Sequence, residues 1–196
     1  MSVFHHPLIK HVLKHVNLTE QDAKNLLDAM EPHTYQKKEL MLRSGDVAHK
    51  AAFVLGGCLR NYAIEENGHE LVLQFAPTNW WITDNYSFIS QQPSKVNIEA
   101  METTEVLLLS RENQMKLFDC APAFERYFRI LTENALVAHQ QLVLDNLGLT
   151  AQERYVQFCK RYPSLVDKIA QKYIASYIGV TPEFLSKMRA QLLRAK

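Results

Sequence analysis

The chain has 196 residues, 47% of them apolar, enough to bury one sizeable core plus a smaller one. No apolar run approaches the ~20 residues that cross a bilayer, and Met1-Ser2-Val3-Phe4-His5-His6-Pro7 lacks the basic-then-apolar order of a secretory signal. Cys58, Cys120 and Cys159 are odd in number and far apart, which argues against a disulfide framework and a C-x-x-C metal site and for a cytoplasmic protein with buried or idle thiols. The net charge of +1 hides an asymmetry: Thr150 to Lys196 carries nine Lys/Arg against three Asp/Glu, or +6, leaving −5 for the rest. A basic tail on an acidic body suits a polyanion partner for the tail alone.

Residues 5 to 30 show short helical patterns through Leu8, Val12 and Val16, then Leu26, Leu27 and Met30. Thr19 followed three residues later by Asp22 is a capping-type start for the second of them. His11 and His15, four apart, could share a metal, but no third ligand is near and a surface helix is expected instead. From Tyr35 to Ser110 the pattern changes to short strands: Glu39–Leu42, Ala51–Leu55, Leu59–Ile64, Glu70–Phe75, Val96–Ala100 and Glu105–Leu109. Turns separate them at Ser44-Gly45-Asp46, at Gly56-Gly57 and at Asn67-Gly68, the last closing a hairpin. Such spacing predicts a β-barrel or sandwich.

Ser110 caps a short helix, Arg111 to Phe118. Beyond Ala121-Pro122 a long helical pattern runs through Phe124, Phe128, Leu131, Leu136, Ala138, Leu142 and Leu147 to Gly148. At ~1.5 Å per residue it would extend about 40 Å, too far to bury on one small barrel. An apolar stripe of that length predicts a two-fold dimer along the helix, the alternative being a helix that lies across the protein's own barrel. Thr150-Ala151-Gln152-Glu153 opens a further capped helix ending near Tyr162-Pro163, and a short helix to Ala170 is expected after it.

The tail reads as two helices with one sharp turn. Ile174, Ala175 and Ile178 form one apolar face, and Leu185, Met188 and Leu192 the second. Gly179 stops the first helix in the left-handed conformation that it alone adopts without steric cost. Thr181 caps the next, Pro182 fits its first turn and Glu183 favours the positive end of its dipole. This is the sequence form of a DNA-binding helix-turn-helix, the alternative being a helical hairpin that only packs against the rest of the protein. The outer face of its second helix would carry Thr181, Glu183, Phe184, Ser186, Lys187 and Arg189, side chains able to reach base edges or phosphates.

A barrel, a long helix and a helix-turn-helix, with Ser44-Gly45-Asp46, Phe53-Val54-Leu55-Gly56-Gly57, Ala151-Gln152-Glu153-Arg154-Tyr155 and the tail, resemble the bacterial Crp–Fnr family of transcription regulators. The resemblance implies an α+β fold in three parts. Residues 1–118 would be a cyclic-nucleotide-binding-like barrel, a cupin-like jelly roll with N-terminal helices. Residues 119–148 would be the dimerisation helix, and 149–196 an all-α helix-turn-helix domain that stops at Lys196 without a full wing. It also implies that Glu183 and Lys187 are the main base readers. Pro182 stands where many members keep an Arg, so the base preference need not be theirs.

Members that bind cyclic AMP use a Phe/Ile-Gly-Glu segment for the ribose and an Arg ten residues later for the phosphate. Here the matching positions are Ile82-Thr83-Asp84 and Ser94. Asp84 keeps a carboxylate, Thr83 blocks the close backbone approach of a Gly, and Ser94 brings no charge. Lys95 is next door, but strand alternation would turn it to the opposite face. A nucleotide pocket at Thr83, Asp84 and Ser94 is therefore expected to be degenerate, and the effector, a cyclic nucleotide or another small molecule, is unknown. No cysteine cluster precedes Cys58 for an iron–sulfur sensor, nothing singles out His49 or His69 as a haem ligand, and no metal is expected.

The leading expectation is a homodimeric regulator binding inverted-repeat DNA. Its alternative is a small-molecule-binding module that acts on a protein partner without sequence-specific DNA binding. No paired acid and base or nucleophile motif suggests an enzyme.

Overall fold

Eight strands and eight α-helices are arranged in layers in the computed structural model, which describes residues 2–194. After a short 3-10 turn come α1 (Pro7–Val12) and α2 (Glu20–Asp28), then β1 (Met30–Tyr35), β2 (Leu40–Leu42), β3 (Lys50–Gly56), β4 (Cys58–Ile64), β5 (Glu70–Pro77) and β6 (Trp81–Ile82). A short α3 (Asn85–Ser90) precedes β7 (Asn97–Ala100) and β8 (Thr104–Ser110). The remainder is helical: α4 (Arg111–Cys120), α5 (Pro122–Gly148), α6 (Ala151–Arg161), α7 (Gln171–Ile178) and α8 (Pro182–Arg194). The strands form two antiparallel sheets, ordered β1-β8-β3-β6 and β2-β7-β4-β5. The expected barrel is thus a double-sheet jelly roll.

Both sheets are covered on both sides, which explains the almost continuously apolar β3. Between them lie Ala52, Val54, Leu59, Ala76, Ile98, Val106 and Leu108. The outer face of the β1-β8-β3-β6 sheet presents Phe53, Leu107 and Leu109 to α1, α2, α4 and the start of α5. The outer face of the other presents Tyr62, Val72 and Phe75 to α6, α7 and α8. The helix-turn-helix therefore rests on the jelly roll itself.

Several expectations shift. Met30 does not extend α2 but opens β1, an edge strand paired with β8, where Pro32 costs no interior ladder bond. The Thr19–Asp22 capping box forms as expected. The hairpin turn at Asn67-Gly68 forms with only Gly68 at positive φ, the Gly68 N–H donating to the Glu65 carbonyl. Residues 163–168 form turns rather than a helix, held by bonds such as Leu165 N–H to the Tyr162 carbonyl. Lys95 lies in the loop before β7, so strand alternation does not place it, although it does face solvent. His11 is half-buried rather than on a surface face: its Nδ1 lies 2.8 Å from the Tyr127 hydroxyl, which accepts from Trp81 Nε1 at 2.8 Å. Burial, and after it the charges of His15 and Lys14, lower the His11 pKa to about 4.

Candidate nucleic-acid interface and ligand cassette

The two helices of the tail meet through buried Ile174, Ala175 and Ile178 on α7 and buried Leu185 and Met188 on α8, with Leu192 packed beside them. Gly179 adopts φ 70°, ψ 43°, and the Val180 N–H reaches back to the Ala175 carbonyl at 3.0 Å, which closes the end of α7. The Thr181 hydroxyl accepts from the Phe184 N–H at 3.2 Å and starts α8. Of the residues singled out in the sequence, Thr181, Glu183, Phe184, Ser186 and Lys187 all face solvent together. Arg189 is drawn aside. Its guanidinium lies 5.8 Å from the Tyr155 ring centre and 3.8 Å from the exposed Asp167 carboxylate. An ion pair that exposed is weak, so Arg189 can still exchange it for a phosphate.

A residue quoted only as part of a motif sets the joint. Arg154 on α6 donates from Nε to the Ile178 carbonyl and from Nη1 to the Leu149 carbonyl, both at 2.8 Å. Both acceptors sit at helix C-termini, where a cation is favoured. One guanidinium thereby ties the end of the long helix to the end of α7.

The segment around α3 has the opposite character. Asp84 caps α3 by accepting from the Tyr86 N–H, and its other oxygen is 2.7 Å from the Ser94 hydroxyl. Ser94 is only 3% exposed and also lies against the backbone of Val96. Thr83 donates to the Lys50 carbonyl at 3.2 Å. Ser87, fully buried, accepts from the Ala48 N–H and donates to the Gln92 carbonyl. Arg111 donates to the carbonyls of Phe88 and Ile89 at the end of α3. The named polar side chains of this cassette are thus bonded within the protein, to one another or to backbone groups.

Residues 32–119 match the cyclic nucleotide-binding domain family. The jelly roll is a cyclic nucleotide-binding domain. Around it the whole chain has the Crp–Fnr architecture, as its order of parts suggested. It is 23% identical over 190 residues to the anaerobic regulatory protein of Pasteurella multocida, covering 89% of this chain and 68% of that one. FixK2 of Bradyrhizobium japonicum superposes with a TM-score of 0.73 at 21% identity, over 85% of either chain. A Crp/Fnr-family putative transcriptional regulator of Eubacterium rectale gives 0.66 at 18% identity, over 90% of this chain and 85% of that one. At such identities the common property of these structures is the fold.

Asp84 and Ser94, the two positions that the family resemblance sets against a ribose carboxylate and a phosphate arginine, come together in the fold but are bonded to each other. Among the described residues no group of three or more His, Cys, Asp or Glu converges as metal ligands. His49 and His69 both face solvent. Cys58 is buried, which pushes its thiol up to about 12, while Cys120 is exposed.

Proposed function

We propose that the protein is a homodimeric transcription regulator that reads inverted-repeat DNA with α8, and that its nucleotide cassette is degenerate. The observation that carries this reading is the capped turn at Gly179 and Thr181, which presents Glu183, Phe184, Ser186 and Lys187 of α8 outward while its apolar face is buried. Dimerisation is supported by the far half of α5. There Leu136, Val137, Val143, Leu144 and Leu147 all lie open, the last 82% exposed, whereas Phe124, Tyr127 and Phe128 at the near end are buried. Leu136, Gln140, Val143 and Leu147 stand at the three- and four-residue spacing of a coiled-coil seam, with Gln140 its polar position. A twin helix along that seam creates a two-fold axis, and the two copies of α8 then meet major grooves ~10 base pairs apart.

Cyclic AMP is not the expected effector. A charge-assisted contact to its phosphate is worth on the order of 2–5 kcal/mol, and Ser94 cannot supply one while bound to Asp84. Selection of duplexes from a random pool with the purified protein tests the reading. An inverted repeat should be enriched without added nucleotide. Lys187→Ala should then weaken binding about tenfold and reduce the salt slope by about one. Enrichment of no sequence by a confirmed dimer would overturn the proposal.

A further inference from the structure

The helix-turn-helix is fastened to the outer face of the jelly roll by a buried polar cluster, and we propose that this cluster, centred on Arg60, sets the pose in which α8 is offered to DNA. The inference rests on the DNA-reading role proposed for α8. Arg60 is 1% exposed, the largest fully buried side chain among the described residues, on a strand face that would be open to solvent without the C-terminal helices. Its guanidinium lies between two rings, 4.0 Å from the Tyr62 centre on β4 and 4.3 Å from the Tyr173 centre on α7. In the plane of the fork, Glu70 accepts from Nη1 at 2.5 Å and Glu99 from Nη2 at 3.1 Å and from Nε at 3.3 Å. Arg has the planar, multiply donating group that such a slot requires.

A second set of contacts engages the same two bodies. β5 is an edge strand, and its outward backbone groups need partners. Ser176 of α7 supplies them as a neighbouring strand would: its hydroxyl accepts from the Val72 N–H at 2.9 Å and donates to the Glu70 carbonyl at 2.5 Å. Phe75 packs against Phe158, Tyr162 and Tyr177 with ring centres 6.0, 5.5 and 5.7 Å away. Glu70 thus serves both sets, through its carboxylate to Arg60 and through its carbonyl to Ser176.

The docking leaves the outward residues of α8 uncovered. It therefore positions the helix without masking it. Two recognition helices held at a fixed separation meet both half-sites without having to be ordered first, whereas loosely hung ones lose that advantage. Arg60, Tyr173 and Ser176 are positioning residues on this view, and none belongs to the outward face of α8.

The test uses Tyr173→Ala and Ser176→Ala in the full chain, with Arg60→Met as the harsher variant. Amide exchange at Val72 and Phe75 reports the docking, and binding to the selected inverted repeat, to one half-site and to repeats with lengthened spacers reports the pose. We expect faster exchange at Val72, binding to the full repeat about tenfold weaker with half-site binding unchanged, and a flatter dependence on spacer length. Faster exchange with unaltered binding and spacer dependence would overturn the positioning role. So would unaltered exchange in both mild variants. Failure of the wild-type protein to prefer any duplex would instead remove the DNA-reading role on which the inference stands.

Discussion

α3 and α8 are both introduced by a side-chain cap, Asp84 and Thr181, yet the polar groups around them have opposite fates. At the cassette, Asp84, Ser94, Thr83, Ser87 and Arg111 are satisfied from within. On α8, Glu183, Ser186 and Lys187 are left to solvent while Leu185 and Met188 carry the packing. A binding surface must keep donors and acceptors that only the ligand will complete. Polar groups that already satisfy one another can be opened only at the cost of the bonds that close them. On that criterion α8 has the character of a binding face and the α3 segment does not.

The contrast can be stressed with protons. The network of His11, Tyr127 and Trp81, which joins α1, α5 and β6, is another sealed polar cluster. The unfolded chain takes up a proton on His11 near the usual pKa of about 6.5, whereas the folded protein does so only near 4. Between those values unfolding binds a proton, so stability is full above the upper one and falls as pH drops toward the lower. The loss attributable to His11 should be at most about 3 kcal/mol. Urea midpoints at about pH 7 and about pH 4.5 measure it, and His11→Phe should flatten the difference between them. An equal slope in both proteins would show that the cluster is not sealed against protons.

The open region depends instead on backbone geometry. A Cβ at position 179 would meet no atom within 4 Å, so the cost of Gly179→Ala is conformational alone. About 1–2 kcal/mol is expected for forcing an L residue to that φ, with Gly179→Asn nearly neutral. Thermal unfolding of the two variants compares them directly. Equal losses would mean that the turn is held by something other than the left-handed residue.

What could be read in the sequence was whatever is locally encoded. The caps at Thr19, Ser110, Thr150 and Thr181, the limits of α5 and the stop at Gly179 each depend on residues within one or two turns. β1 was not legible because its apolar residues, Met30 and Tyr35, stand only at its ends. Its strand state comes from β8, some seventy residues away in sequence. α3 was hidden by its length, although Asp84-Asn85 is a capping signal. The spacing of Asp84 and Ser94 was legible, but their bond required the fold of α3 between them. Arg60 gave no local sign at all. Its partners Glu70, Glu99 and Tyr173 come from two other strands and from α7, and only the covering of that sheet face makes an arginine sensible there.

The smallest expected effect divides the two regions most directly. Ser94→Ala leaves one oxygen of Asp84 a partner short, and a hydrogen bond of this kind contributes about 1 kcal/mol. If the cassette is sealed and structural, that loss appears in thermal unfolding while affinity for the inverted repeat stays as it was. Cyclic AMP should then leave the unfolding temperature of both proteins unmoved. A ligand at a hundredfold excess over its Kd stabilises by about 2.7 kcal/mol, so even micromolar affinity would be plain at millimolar nucleotide. A shift of that size in the wild-type protein would show that the bond between Asp84 and Ser94 opens for ligand, and the cassette would have to be regarded as an input that is closed only when empty.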